Sequence, residues 1–218
     1  MTHIIKDNSI FVNLEKDIVI FYTETMKKKD MSKQTKIQDA VAAIILKEGP
    51  AGVSTTKVAR QVGIAQSNVY LYFQNKQALI DSVYQRETQR IISTTALTAL
   101  ADSRISLPER IRMYVQQVYD YSLAHPDSLT LLQQIKSLKG QGMALTVGAD
   151  DPNNVVGQLL TAGVTAGILK PLPVNLFMSL VFAVIHTHTT NVKNGVTAPE
   201  TVTFDALYSL IWDAIRLA

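Results

Sequence analysis

Gly63 interrupts a helical stretch in a way that leaves few foldings open. Residues 53–76 read as two short helices joined by a tight turn at that glycine. Ser54 suits the N-cap of the first helix, and Val58, Ala59 and Val62 recur on its inner side. A glycine at the junction supplies the positive φ with which a helix can end abruptly. The second helix is expected from about Gln66 to Tyr72. Ile64 and Val69 complete an apolar set with Val58, Ala59 and Val62, which leaves Gln66, Ser67 and Asn68 at an exposed helix start.

A bracing helix, a tight turn and a second helix with an exposed polar N-terminus form the arrangement that enters the major groove of DNA. The side chains suit that task. Gln66 and Asn68 carry amides that can pair bidentately with adenine N6 and N7, and Ser67 can serve either partner. Tyr70 and Tyr72 can reach phosphates through their hydroxyls, as can Thr55 and Thr56 at the head of the bracing helix. Lys76 stands at the start of a further helix, where backbone N–H groups also favour a phosphate. Tyr70, Tyr72 and Phe73 cannot all point one way, so Phe73 is expected inside and the tyrosines partly exposed.

The sequence from Gly63 to Leu79, Gly-Ile-Ala-Gln-Ser-Asn-Val-Tyr-Leu-Tyr-Phe-Gln-Asn-Lys-Gln-Ala-Leu, resembles the DNA-binding signature of the TetR family of bacterial transcriptional repressors. Val69-Tyr70, Tyr72-Phe73, Lys76 and Leu79 occupy its aliphatic, aromatic and basic places. The resemblance covers residues of about 35–82. It implies a homodimer, a three-helix DNA-binding head and a larger helical regulatory domain that usually binds a small inducer. Asn68 departs from the small residue or threonine common there, so no operator preference carries over.

Outside the head the pattern is helical. Ile37, Val41, Ile44 and Ile45 form one stripe on a helix from about Lys33 to Lys47, stopped by Gly49-Pro50. A long helix is expected from Lys76 to Leu100. Ser106-Leu-Pro-Glu109 has the form of a capping box and opens the next. Asp127 is expected to cap another, and residues 140–151 form a loop. Asp151-Pro152 should start a helix that runs to Ile168. Pro171 and Pro173 open one with Leu176, Phe177, Leu180, Val181, Val184 and Ile185 inward, and the last spans Thr201 to Leu217. The fold class is all-α. Its divisions are an N-terminal extension over 1–32, a helix-turn-helix domain over 33–82 and a ligand-binding and dimerisation domain over 83–218. The extension reads as a flexible arm, an extra helix or strand, or translated sequence ahead of a later start; a weakly ordered extension is the favoured reading. Its Lys27-Lys-Lys29 run is a solvated charge run first and a minor-groove arm second.

Composition narrows the function classes. Residues 33–95 carry a net +4 while residues 96–218 carry −1, so the positive excess lies on the helix-turn-helix segment. There is no cysteine, which removes disulfides, thiolate metal sites and cysteine nucleophiles and fits a cytoplasmic setting. The best apolar run, Phe177 to Ile185, falls short of the roughly 18–20 residues of a membrane span. No paired carboxylates, phosphate loop or serine nucleophile motif points to an enzyme, and no cofactor is implied. His186 and His188 lie about 200° apart on a helix, the wrong geometry for one metal.

Met113, Tyr114, Tyr119, His125, Met143, Phe177 and His186 are candidates for a ligand-pocket wall, with plain core packing as the alternative. Gly163-Val-Thr-Ala-Gly167 either lets helices pack closely or leaves room for a ligand. The last two helices, with wide apolar stripes, are the expected homodimer interface. The expected partners are therefore double-stranded operator DNA, a second copy of the chain and a small-molecule inducer. A DNA-binding regulator that answers to a protein partner or to no ligand is the alternative, and an all-α enzyme is the remote one.

Overall fold

Helix formation begins well upstream of the first amphipathic stripe. The structure, a computed structural model, describes residues 3–5, 9–11, 16–91, 94–138 and 154–218. Its first helix, α1, spans Lys16–Glu48. The expected start was Lys33, where the stripe begins. Residues 16–32 hold no glycine or proline, so nothing halts the helix as it extends backward. Ahead of it His3–Ile5 and Ser9–Phe11 pair as a short antiparallel hairpin, with Ile4 opposite Ile10. Ile37, Val41, Ile44 and Ile45 are all buried, and α1 ends at Gly49 with φ +78°.

Three short helices complete the head. Helix α2 is Thr55–Val62, and its N-cap Ser54 accepts a hydrogen bond from the Lys57 N–H at 3.2 Å. Gly63 adopts φ +75°, and the N–H groups of Gly63 and Ile64 both donate to the Ala59 carbonyl at 3.0 Å. Helix α3, Gln66–Tyr70, is two residues shorter than expected. Helix α4, Lys76–Ile91, follows Asn75, whose Oδ1 accepts from the Ala78 N–H at 2.8 Å. Val58, Val69, Phe73, Leu79 and Ile80 close the core with the α1 stripe, while Val62 and Ile64 are only half-buried. Each fully buried side chain of this size contributes about 1.5–3 kcal/mol.

The expected helix from Lys76 to Leu100 is two elements, α4 and α5 (Thr94–Ala101). They serve different halves of the molecule, α4 packing on α1 and α7 and α5 on α6 and α8. The sequence signal is the run Ser93-Thr94-Thr95, residue types whose hydroxyls favour caps over helix interiors. Helix α6, Leu107–Ala124, has the anticipated cap, with Ser106 Oγ accepting from the Glu109 N–H at 3.4 Å. Helix α7, Pro126–Leu138, starts one residue before Asp127, which lies in its first turn and pairs with Lys193 instead of capping.

Helix α8, Val155–Thr165, is capped by Asn154, whose Oδ1 accepts from the Gly157 N–H at 2.9 Å. The expected cap at Asp151-Pro152 and the loop before it lie outside the described residues. A Cβ on Gly163 would sit 2.9 Å from Leu169 Cδ1 and 3.4 Å from Ile111 Cδ1, so this glycine serves close packing. Gly167 has φ +67° and ends the helix ahead of the expected Ile168. Helices α9 (Val174–Lys193) and α10 (Phe204–Ile215) pack on each other and on α6. Phe177, Val181, Ile185, Leu207, Ile211 and Ile215 face inward. Leu176, expected inside, is 50% exposed, and Leu180 and Val184 are half-buried.

Candidate nucleic-acid interface

Val69 sets the phase of the recognition helix. It is fully buried, and Phe73, one turn later, is buried too. With Val69 inward, Ser67 and Asn68 turn about 200° and 100° away from the core, while Gln66 is free to do so because it opens the helix, and all three are exposed. Tyr70 is 50% exposed and Tyr72 half-buried, so the expected division among the three aromatics holds. Leu71 is 79% exposed at the end of α3. Sequence reasoning passed over it. The signal was its position between two tyrosines and two residues before a core phenylalanine. An exposed aliphatic group there can meet a thymine methyl.

The polar side chains on this face are partly organised among themselves. Gln66 Nε2 donates to Thr55 Oγ1 at 2.9 Å, and the Tyr70 hydroxyl stands 3.3 Å from the same oxygen. Thr55 is half-buried and Thr56 exposed. Lys76 Nζ donates to the Ala51 carbonyl at 2.7 Å, so its ammonium braces the turn between α1 and α2. Lys57 pairs with Glu48 at 2.5 Å, and its hydrogen bond and charge hold the Glu48 carboxyl below the usual carboxylate range. That pair neutralises one cation of the head, while Lys33, Lys36 and Arg60 remain exposed.

Residues 37–83 match the sequence profile of the bacterial regulatory proteins of the tetR family. Most of the chain is similar to a solved structure described as a transcription regulator from Lactobacillus plantarum. The two are 64% identical, the match covers 85% of this chain and 99% of that one, and the TM-score is 0.77. The chain belongs to the TetR family. A TetR family transcription regulator from Marinobacter aquaeolei VT8 shares the fold at 19% identity and a TM-score of 0.72, covering 88% of this chain and 100% of that one. The fatty acid metabolism regulator protein of Bacillus subtilis (strain 168) is 26% identical over 77% of this chain and 87% of its own length. The chain is thus a TetR-family transcription regulator with a DNA-binding helix-turn-helix.

The residues expected as a ligand-pocket wall lie in several settings. Tyr114, Tyr119 and Phe177 are buried in the body core, and Met113 is half-buried against it. His125 is exposed at the α6–α7 turn, its ring 4.5 Å from that of Tyr121. His186 is half-buried, with Nε2 3.0 Å from Thr130 Oγ1 on α7. Met143 lies outside the described residues. His188, outside the expected pocket wall, is 9% exposed and stacks on Tyr119 at 5.8 Å. Its Nε2 has no hydrogen-bond partner among the described residues. The two histidines face opposite sides of α9, His186 toward α7 and His188 toward α6. No described helix is long and apolar enough to cross a membrane.

Proposed function

We propose that this TetR-family regulator is a homodimeric repressor that a small-molecule inducer releases from its operator. The observation that carries the DNA-reading part is the exposed N-terminal turn Gln66, Ser67 and Asn68 of a short helix anchored by buried Val69, with buried Phe73 just past its end. A single five-residue helix reads too few bases for high affinity. Two copies on half-sites about 34 Å apart multiply it. The surface for pairing is on α9 and α10, where Leu176 and Leu210 are 50% and 63% exposed and Leu180 and Val184 extend the stripe. Apolar side chains in such a row mark an interaction face, and two helices from each copy make a four-helix bundle.

Inducer release needs a mechanical link between body and head. The link is the seam where α7 packs on α1 and α4. A ligand that binds better to a body conformation with a different α7 position shifts the population of head orientations. The Bacillus subtilis relative is named for fatty acid metabolism, so the ligand class proposed first is a fatty acid or a derivative of one.

The test has three parts. Light scattering gives the mass of the wild type and of Leu176→Glu/Leu210→Glu, and a dimer that becomes a monomer is expected. Selection of duplexes from a random pool gives the operator. Free fatty acids of increasing chain length are then screened by thermal shift and by fluorescence anisotropy on that operator. A compound that raises the melting temperature and releases the DNA supports induction. A stable monomer that enriches no duplex overturns the proposal. A dimer that no compound in the screen displaces leaves regulation by a protein partner as the reading to adopt.

A further inference from the structure

We propose that Thr55 is a positioning residue that presents the Gln66 amide to a base edge, and that its hydroxyl is not a phosphate contact. The inference rests on the DNA-reading role of α3. Thr55 opens α2, Gln66 opens α3 and Tyr70 closes it. The hydroxyl of Thr55 lies between the other two side chains, receiving Gln66 Nε2 at 2.9 Å and standing 3.3 Å from the Tyr70 hydroxyl.

A threonine hydroxyl has one proton and two lone pairs. Here one lone pair takes the Gln66 N–H, and the bond with Tyr70 uses either the proton or the second lone pair. A phosphate oxygen only accepts, so to bind one Thr55 would have to direct its proton away from Tyr70. The amide of Gln66 has two N–H groups and a carbonyl. With one N–H on Thr55, it keeps one donor and its carbonyl acceptor. That pair is the complement of adenine N7 and N6 in the major groove.

The bond also crosses the Gly63 turn. It joins side chains eleven positions apart in sequence, so it sets the aim of Gln66 relative to the bracing helix rather than along α3 alone. An exposed glutamine without such a tie loses rotamer freedom on binding. Holding it before the DNA arrives removes much of that cost, which is how preorganisation raises affinity for the right partner.

The experiment is a duplex selection from a random pool with the full-length wild type, Gln66→Ala, Thr55→Val and Thr55→Ser, followed by salt titrations on the selected and a scrambled duplex. Gln66→Ala should erase a preference of about five- to 150-fold at one base pair of each half-site. Thr55→Val, which keeps the side-chain shape, should relax the same base pair by about two- to tenfold, the worth of one ordered side chain. Its salt slope should match the wild type. Thr55→Ser should retain the preference, which separates the hydroxyl from packing. Thr55→Val weakening every duplex alike, with the salt slope reduced by about one, makes Thr55 a phosphate ligand and overturns the proposal. A base pair relaxed by Gln66→Ala and untouched by Thr55→Val overturns it as well. If the wild type enriches sequences that Gln66→Ala still reads, this assignment alone falls. If the wild type enriches none, the DNA-reading role of α3 falls with it.

Discussion

Lys76 has one ammonium and two claims on it. In the structure it donates to the Ala51 carbonyl at 2.7 Å, whereas the sequence pattern places it on a phosphate. A flexible lysine can trade an exposed carbonyl for an anion at little cost, so both roles produce a measurable loss in Lys76→Ala. On the free protein the loss is the Ala51 bond, about 0.5–1.5 kcal/mol by denaturant titration. On DNA it is a uniform weakening across sequences, with the salt slope lower by about one. An unchanged slope would mean that the ammonium stays on Ala51 in the complex. His186 gives a second prediction. Burial lowers its pKa below the ordinary 6.5. The folded protein therefore keeps this imidazole neutral at a pH where the unfolded chain already takes up a proton. Its contribution to stability is full above 6.5 and is lost as pH falls through the depressed folded value. The expected NMR titration midpoint of His186 is below 6.5, and the melting temperature should drop more between pH 7.5 and 5.5 in the wild type than in His186→Gln. A midpoint at or above the ordinary value defeats the reading.

At the scale of elements, Gly63 is the residue on which the helix-turn-helix depends for its shape. It has φ +75° and no atom within 4 Å of where a Cβ would be. Gly63→Ala therefore isolates backbone strain from crowding, and the expected loss is about 1–2 kcal/mol in an equilibrium melt. A loss near zero would show that the turn relaxes to another conformation. This turn was legible because its determinants are local, a glycine between two apolar triplets. The facing of α3 was legible for the same reason, since Val69 is the one aliphatic side chain between Gln66 and Tyr70. The capping box at Ser106 and the stripe through Ile37, Val41, Ile44 and Ile45 belong with them. What escaped the sequence is set by contacts between distant residues. Asp127 looks like a cap and is drawn to Lys193 on α9. Leu176 has the spacing of a core residue and stands half in solvent, because helical periodicity marks an apolar face without saying what covers it. The bond from Gln66 to Thr55 was hidden because both residues suit DNA on their own.

Across the whole molecule, the head and the body meet at a buried carboxylate. Glu87 on α4 is 4% exposed. Its Oε1 accepts from Arg86 at 3.2 Å and Arg90 at 3.1 Å, and its Oε2 accepts from Ser128 Oγ on α7 at 2.6 Å. Arg86 also reaches Asp39 on α1 at 2.7 Å. Three helices thus share one network, beside a cavity of about 330 Å³ lined in part by Ala42, Leu46, Ser128 and Leu131. Glu87→Ala leaves Arg86 with Asp39 alone and takes the carboxylate acceptor from Ser128, so it should cost about 1.5–3 kcal/mol. Ser128→Ala removes a donor that comes from the body and should cost about 1–3 kcal/mol. The informative quantity is the coupling in the double variant. If the hydrogen bond across the seam is formed in solution, Glu87→Ala/Ser128→Ala should be less destabilised than the sum of the single variants by about 1–3 kcal/mol. Additive losses would mean that α4 and α7 are held together by their apolar surfaces alone, and that a shift of α7 could not be felt through this carboxylate. Operator affinity measured on the same three variants separates the two consequences of the network. Stability reports the charge that is left buried, while affinity reports whether the head still sits at the angle its partner helix imposes.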